Sequence, residues 1–113
     1  ETYYPSNASC INSVKMAVLI NAETECCGEL FACDLRDFGV ASLIGEKTAG
    51  NASVQESFAL SDGGGVILTV AKVKPYITET FENVGLQPNL AVSNTENDTD
   101  AQLKAATDFL AKE

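Results

Sequence analysis

Cys26 and Cys27 stand side by side where a strand-like run gives way to a helix-like one, in NAETECCGELFACDLRDFG, residues 21–39. A thiolate is a nucleophile, and a helix N-terminus favours it, because unpaired backbone N–H groups and the macrodipole attract negative charge. Glu25, next to Cys26, works the other way, as does the acidic chain around it. A thiol or hydroxyl nucleophile also needs a base to take its proton. The chain contains no histidine, so no Ser-His or Cys-His pair can form within it. The four cysteines, Cys10, Cys26, Cys27 and Cys33, lack paired C-x-x-C spacing and match no zinc pattern. They permit one or two disulfides in an oxidising compartment. Adjacent cysteines rarely bond each other, because the geometry is strained. Cys10, just before the first strand, could approach a helix cysteine.

These residues need a frame. KMAVLIN (15–21) is a short apolar run with β-branched members, the pattern of a buried strand. From Glu25 to Phe38 the period changes, and Cys27, Leu30, Phe31, Leu35 and Phe38 mark an apolar helical face. Thr24 is the expected N-cap and Gly39 the stop. VASLIG (40–45) reads as a second buried strand, so the three pieces form a βαβ unit with parallel strands. EKTAGNAS (46–53) is a loop. VQESFAL (54–60) alternates like a half-buried strand and forms a hairpin with VILTVAKV (66–73) across SDGGG (61–65). The DGGG run lacks the lysine and following helix of a phosphate loop, so it is read as a turn. Residues 78–92 are irregular and end in a short strand. A capping box at Thr99–Gln102 opens a last helix to about Ala111, with Leu103, Ala106, Phe109 and Leu110 as its apolar stripe.

The chain has 113 residues, enough for one domain with a modest core. Its net charge of −9 argues against nucleic acid or an anionic membrane surface as a partner, since both need a basic face. No apolar run has the length of a membrane span. The opening ETYYPSNAS has neither basic nor apolar leader character, so the N-terminus reads as cut from something longer. Asn7, Asn51 and Asn97 each begin an N-x-S/T triplet, a weak pattern in a chain rich in these residues.

Three stretches in order carry a resemblance. VLINAETECCGELFACDLRDFGVASLIGEKTAGNASVQ resembles the catalytic segment of the C-terminal processing (tail-specific) serine peptidases. That segment reads roughly V-L-V-N-x-x-S-A-S-A-S-E-x-x-A-x-A-L-x-D-Y-G-x-A-x-x-V-G-E-x-T-F-G-K-G-x-V-Q. LSDGGGVILTVAK is similar to the family's L-S-D-G-S-x-L-x-L-T-x-A-K, and ENVGLQPNLAV to its G-x-G-I-x-P-D-x-x-V. The likeness spans about residues 15–93. It implies an α/β fold of the Clp protease/crotonase type, with residues 1–113 forming one domain, the C-terminal portion of a catalytic domain. It further implies a polypeptide substrate or peptide ligand, no cofactor or metal, and a parent in the bacterial cell envelope or outside the cell.

The resemblance transfers position by position. Glu29 matches the family's glutamate after the serine run, which places the nucleophile position at Cys26. GNASVQ places the catalytic lysine at Asn51. Asp37 matches the helix-end aspartate, and Gln55 the glutamine that helps position the lysine. Lys47 lies four residues before the lysine position and matches a different segment. The amide of Cys27 would be one oxyanion donor, while the family's upstream Gly-Gly donor motif lies outside these residues. Both dyad members are thus changed, and the expectation is an impaired site that keeps its peptide cleft. Two other readings stand beside it: a cysteine-nucleophile peptidase completed by residues elsewhere, and a structural domain that associates as a homo-oligomer. The bland readings are expected to hold for several residues. Cys27 and Cys33 would be core thiols, Asp37 and Glu29 capping or ion-pair groups, and Gly50 either a close-approach or an ordinary turn residue.

Overall fold

A computed structural model describes residues 14–94 and 100–112. Cys10 and its candidate disulfide, the triplets at Asn7 and Asn97, and the Thr99 end of the capping box lie outside the described residues.

The βαβ unit forms as the apolar runs predict. β1 (Met16–Ile20) and β2 (Ala41–Gly45) are parallel, in register from Met16 opposite Ala41 to Ile20 opposite Gly45. Parallel neighbours require a crossover, and α1 (Cys27–Asp37) supplies it. β2 is the central strand, since the short β5 (Leu90–Ala91) joins its other edge, also parallel. Asn89 locks that junction: its N–H donates to the Leu43 carbonyl and its Oδ1 accepts the Leu43 N–H, both at 2.8 Å. β3 (Ser53–Ala59) and β4 (Gly65–Lys72) form a separate antiparallel hairpin with a bulge at Val54/Gln55. α2 (Ala101–Ala111) packs on β1 and β2. Neither helix is long and apolar enough to cross a membrane.

The core gathers Ile20, Ala32, Cys33, Leu43, Ala52, Phe81 and Leu86. Three of these come from irregular chain, so the 48–53 loop and the 81–86 turn belong to the core rather than hanging from it. Cys33 is a core thiol, as expected.

Several local expectations are corrected. Thr24 does not cap α1; its hydroxyl and backbone close a turn with Asn21, and Cys26 is the N-cap residue. The buried face of α1 is Glu29, Ala32 and Cys33, rotated from the face that Cys27, Phe31 and Phe38 define. The reason is a buried carboxylate, described below, that turns Glu29 inward and leaves Cys27 exposed. Phe38 instead stacks on Tyr76 at 5.4 Å between ring centres. β3 is exposed along nearly its whole length rather than half-buried. In α2 the buried residues are Gln102 and Ala106, and Leu103 and Leu110 face out. Asp100 caps it by accepting the Leu103 N–H at 3.0 Å.

Candidate functional site

After β1 the chain turns through Asn21–Thr24 and reaches Cys26, whose φ of 50° is positive. For a residue with a side chain, such backbone costs about 1–3 kcal/mol and persists only where the surroundings impose it. Here Glu29 imposes it. As the third residue of α1, its carboxylate reaches back and accepts the Cys26 N–H on Oε2 at 3.1 Å, half of a capping box.

The same carboxylate does more. Oε2 also accepts the Asn51 N–H at 2.8 Å, while Oε1 accepts the Gly50 N–H at 2.7 Å and the Thr48 hydroxyl. Glu29 has no exposed surface, so each of these bonds replaces one that water would have made. Thr48 passes the link on, since its hydroxyl accepts the Leu86 N–H at 2.7 Å. The sequence reading named Glu29 as a cap or ion-pair group. Its position three residues after Cys26 is a capping-box spacing that could have pointed to Cys26, rather than Thr24, as the N-cap. Nothing local could show that its other acceptors would be residues 48–51.

A second carboxylate holds the loop from the other side. Glu82 accepts the Ala52 N–H and, at 3.0 Å, the Ser53 hydroxyl. The Ala52 N–H above all, with that hydroxyl, holds the Glu82 carboxyl below the usual carboxylate range. Asn83 donates its N–H to the Gly50 carbonyl at 2.8 Å. A Cβ on Gly50, at φ +82°, would stand 2.6 Å from the Gly85 nitrogen and 3.0 Å from the Phe81 oxygen. Gly50 is therefore a close-approach glycine, and the approach is to the 81–85 turn.

The structure brings the backbones of Cys26 and Asn51 onto one oxygen. Their side chains do not meet in an acid–base pair. Burial, the Cys27 thiol and the Glu25 carboxylate all push the Cys26 thiol up. Asn51 Oδ1 folds back to accept the Ser53 N–H at 3.1 Å. Cys27 opens the helix, and its N–H, a first-turn amide with no carbonyl partner inside the helix, works against the rise at Cys26 by bonding the Cys26 sulfur. Lys47 is exposed.

Asp37 and Gln55 lie apart from this cluster. Asp37 ends α1, about 16 Å along the helix from Cys26 at 1.5 Å per residue. It pairs with Arg36 at 2.9 Å and accepts the Thr78 N–H at 2.8 Å, so it anchors the segment after β4. Burial pushes its carboxyl up, but the bonds from Thr78 and the Arg36 guanidinium outweigh that and leave it below the usual range. Gln55 is exposed on β3, opposite Thr69 and next to the bulge.

The chain belongs to peptidase family S41. Residues 2–92 match the profile of peptidase family S41. The chain is 33% identical over 110 residues to a carboxyl-terminal-processing protease of Picosynechococcus sp., covering 91% of this chain and 27% of that protein. It is 36% identical over 77 residues to the chloroplastic carboxyl-terminal-processing peptidase 2 of Arabidopsis thaliana, covering 68% of this chain and 15% of that protein. The fold is similar to that of a photosystem II D1 C-terminal processing protease, with a TM-score of 0.66 and 30% identity over 72% of this chain and 21% of that one. It is also similar to mature CPAF, with a TM-score of 0.64 and 25% identity over 85% of this chain and 18% of that one. The mixed α/β fold is thus that of the C-terminal processing proteases. The chain spans about a quarter of the length of the curated relatives it matches.

Proposed function

We propose that this chain is the C-terminal portion of a carboxyl-terminal-processing peptidase catalytic domain, residues 1–113 forming a single unit, in which Ser/Lys hydrolysis is lost and peptide binding is kept. Cys26 occupies the nucleophile position and Asn51 the lysine position. The carrying observation is that Glu29 still fixes both backbones while the side chains no longer form a nucleophile and base. An amide has no basic nitrogen to take a proton, and the Cys26 thiol is pushed toward its neutral form.

What remains suits a ligand. The Cys27 N–H at the head of α1 is a donor for a carboxylate or carbonyl oxygen that displaces the Cys26 sulfur from it. A peptide C-terminus laid beside a strand is held mainly by backbone pairing, which does not depend on the dyad. In this reading Asp37 is a positioning residue for the segment around Thr78, and Gln55, exposed on β3, stands at the position of the family's lysine-positioning glutamine without reaching residue 51. By analogy with the family, the parent works outside the cell or in the bacterial cell envelope.

Alkylation of Cys26 by iodoacetamide, followed against pH and mapped by mass spectrometry, tests this. The expected result is slow labelling at pH 7, with an apparent pKa at or above the free-thiol value of about 8.5. Fast labelling at pH 6–7, selective for Cys26 over Cys27 and Cys33, would overturn it and favour a cysteine nucleophile served by a base from elsewhere. Peptide cleavage by the longer parent protein that Cys26→Ala abolishes would overturn it too.

A further inference from the structure

Cys26 and Cys27 are consecutive residues and both thiols are free. Cys27 is exposed and Cys26 half-buried, so solvent reaches the pair. The backbone at Cys26 has positive φ, and the two sulfurs lie in hydrogen-bond contact. They are poorly placed to bond each other. Cα atoms joined by a trans peptide are about 3.8 Å apart, short of the roughly 4.4–6.8 Å that a disulfide usually spans. An atom inserted between the sulfurs enlarges the ring and relieves this. Two bonds of about 2.3 Å, a usual metal–thiolate length, meeting near the tetrahedral angle hold their sulfurs about 3.7 Å apart, which is contact distance rather than bond distance. Among the described residues no third Cys, Asp or Glu joins the pair in a metal-binding group. The pair therefore suits a centre that takes two thiolates and brings its remaining ligand with it, rather than zinc, which takes four ligands at a structural site.

We propose that Cys26 and Cys27 form a vicinal dithiol site for trivalent organic arsenicals of the form R–As(OH)₂. Both As–O bonds to hydroxide break and two As–S bonds form. Each thiol proton leaves with one hydroxide as water, and arsenic stays trivalent, so no oxidant or reductant takes part. A neutral Cys26 thiol is no obstacle to this step. Burial first, then Cys27 and Glu25, push that thiol up, which slows attack by a free thiolate on an alkylating agent. An arsenic-bound hydroxide carries the proton away as it leaves. The second As–S bond is intramolecular and strengthens capture about 10²–10⁴-fold over one thiol. Cys33 takes no part, since it has no exposed surface and its sulfur is engaged by Asp37 and Arg36, each at 3.6 Å. The site needs two thiols but neither a base nor a peptide cleft, so it stands whether or not hydrolysis is lost.

The test uses the full chain, reduced and then freed of reductant, with phenylarsine oxide, whose hydrate has the R–As(OH)₂ form. Intact-mass spectrometry should show one phenylarsenic group per chain with two hydrogens lost, and peptide mapping should place it across Cys26 and Cys27. Cys26→Ser and Cys27→Ser should each weaken capture at least about hundredfold, since either leaves a single As–S bond. Circular dichroism checks that both variants fold. Alkylating the exposed Cys27 of the unaltered chain should block capture in the same way, with no substitution. Dithiothreitol should release the group, and mercaptoethanol at the same thiol concentration should not. At neutral pH capture should go to completion while iodoacetamide still labels Cys26 slowly. A chain that takes up no arsenical would overturn the proposal. So would capture that survives the loss of either thiol, or an adduct that maps to Cys10 or Cys33.

Discussion

The N–H groups of Cys26 and Asn51, twenty-five positions apart in sequence, converge on a single oxygen, Oε2 of Glu29, at 3.1 and 2.8 Å. Two more donors, the Gly50 N–H and the Thr48 hydroxyl, occupy Oε1. Removing the carboxylate leaves buried donors without acceptors, each costing about 1–3 kcal/mol if nothing relaxes. Glu29→Gln keeps one oxygen but turns an amide NH₂ toward backbone donors. It should destabilise by about 2–3 kcal/mol, and Glu29→Ala by more, read from urea unfolding midpoints. Hydrogen exchange should rise first at Gly50 and Asn51. Unchanged protection there would show that the loop is held by something other than Glu29.

Gly50 and Gly39 both have positive φ, yet they should respond differently. A Cβ at Gly39 meets nothing within 4 Å, so Gly39→Ala carries only the backbone term, about 1–2 kcal/mol. A Cβ at Gly50 also collides with the Gly85 nitrogen and the Phe81 oxygen, which are backbone atoms and cannot swing away. Gly50→Ala should therefore cost more than Gly39→Ala by at least about 1 kcal/mol, with the excess from overpacking. Equal losses in thermal or urea unfolding would mean that the 81–85 turn yields freely.

The frame was legible because its signals are local. The β-branched runs of β1 and β2, the glycine that ends α1 and the Gly-rich hairpin turn each name an element by itself. The reading of Cys26 and Asn51 as a pair came from ordered motifs; what the fold adds is that their backbone N–H groups share one acceptor. The buried face of α1 was misread for a physical reason. An apolar count assigns Phe31 and Phe38 inward, but a glutamate with four donors waiting for it outweighs them. Three of the four come from a loop about twenty residues downstream. No period in the helix could reveal them. The exposure of the hairpin was misread likewise, because alternation shows which side chains share a face and not whether anything covers it.

The acid limb of stability should trace three carboxyls. Asp37, Glu82 and Asp100 all sit below their ordinary values in the folded chain. Thr78 and Arg36 overcome burial at Asp37, the Ala52 N–H leads at Glu82, and the Leu103 N–H leads at Asp100. A carboxyl depressed on folding adds stability above its unfolded pKa, about 3.9–4.3, and that stability is lost as pH falls through the folded value. Urea midpoints should hold steady at mildly acidic pH and decline below about pH 4. Glu82→Gln should start from a lower midpoint and decline less steeply. Parallel curves for Glu82→Gln and the unaltered chain would remove Glu82 from the linkage.

Lys15 joins the two ends of the fold. It precedes β1, and its Nζ donates to the Phe109 carbonyl at 2.7 Å and to the Lys112 carbonyl, while standing 4.6 Å over the Phe109 ring. The last carbonyls of a helix have no partners inside it, and a cation there answers both the unpaired oxygens and the negative end of the dipole. The ring adds an attraction of about 0.5–1 kcal/mol at an exposed site. α2 has no basic residue in its own last turn, so this cation comes from outside the helix. Lys15→Met keeps the stem and removes the charge. It should cost about 1–2 kcal/mol in total and fray α2 from its C-terminal turn. Hydrogen exchange should quicken at residues 108–111 while the amides of β2 stay protected. Lys15→Arg should restore most of the protection, since its guanidinium can still donate to carbonyls and lie on the ring. If Lys15→Met leaves the last turn of α2 as protected as before, the helix is held by its buried Gln102 and Ala106 face alone.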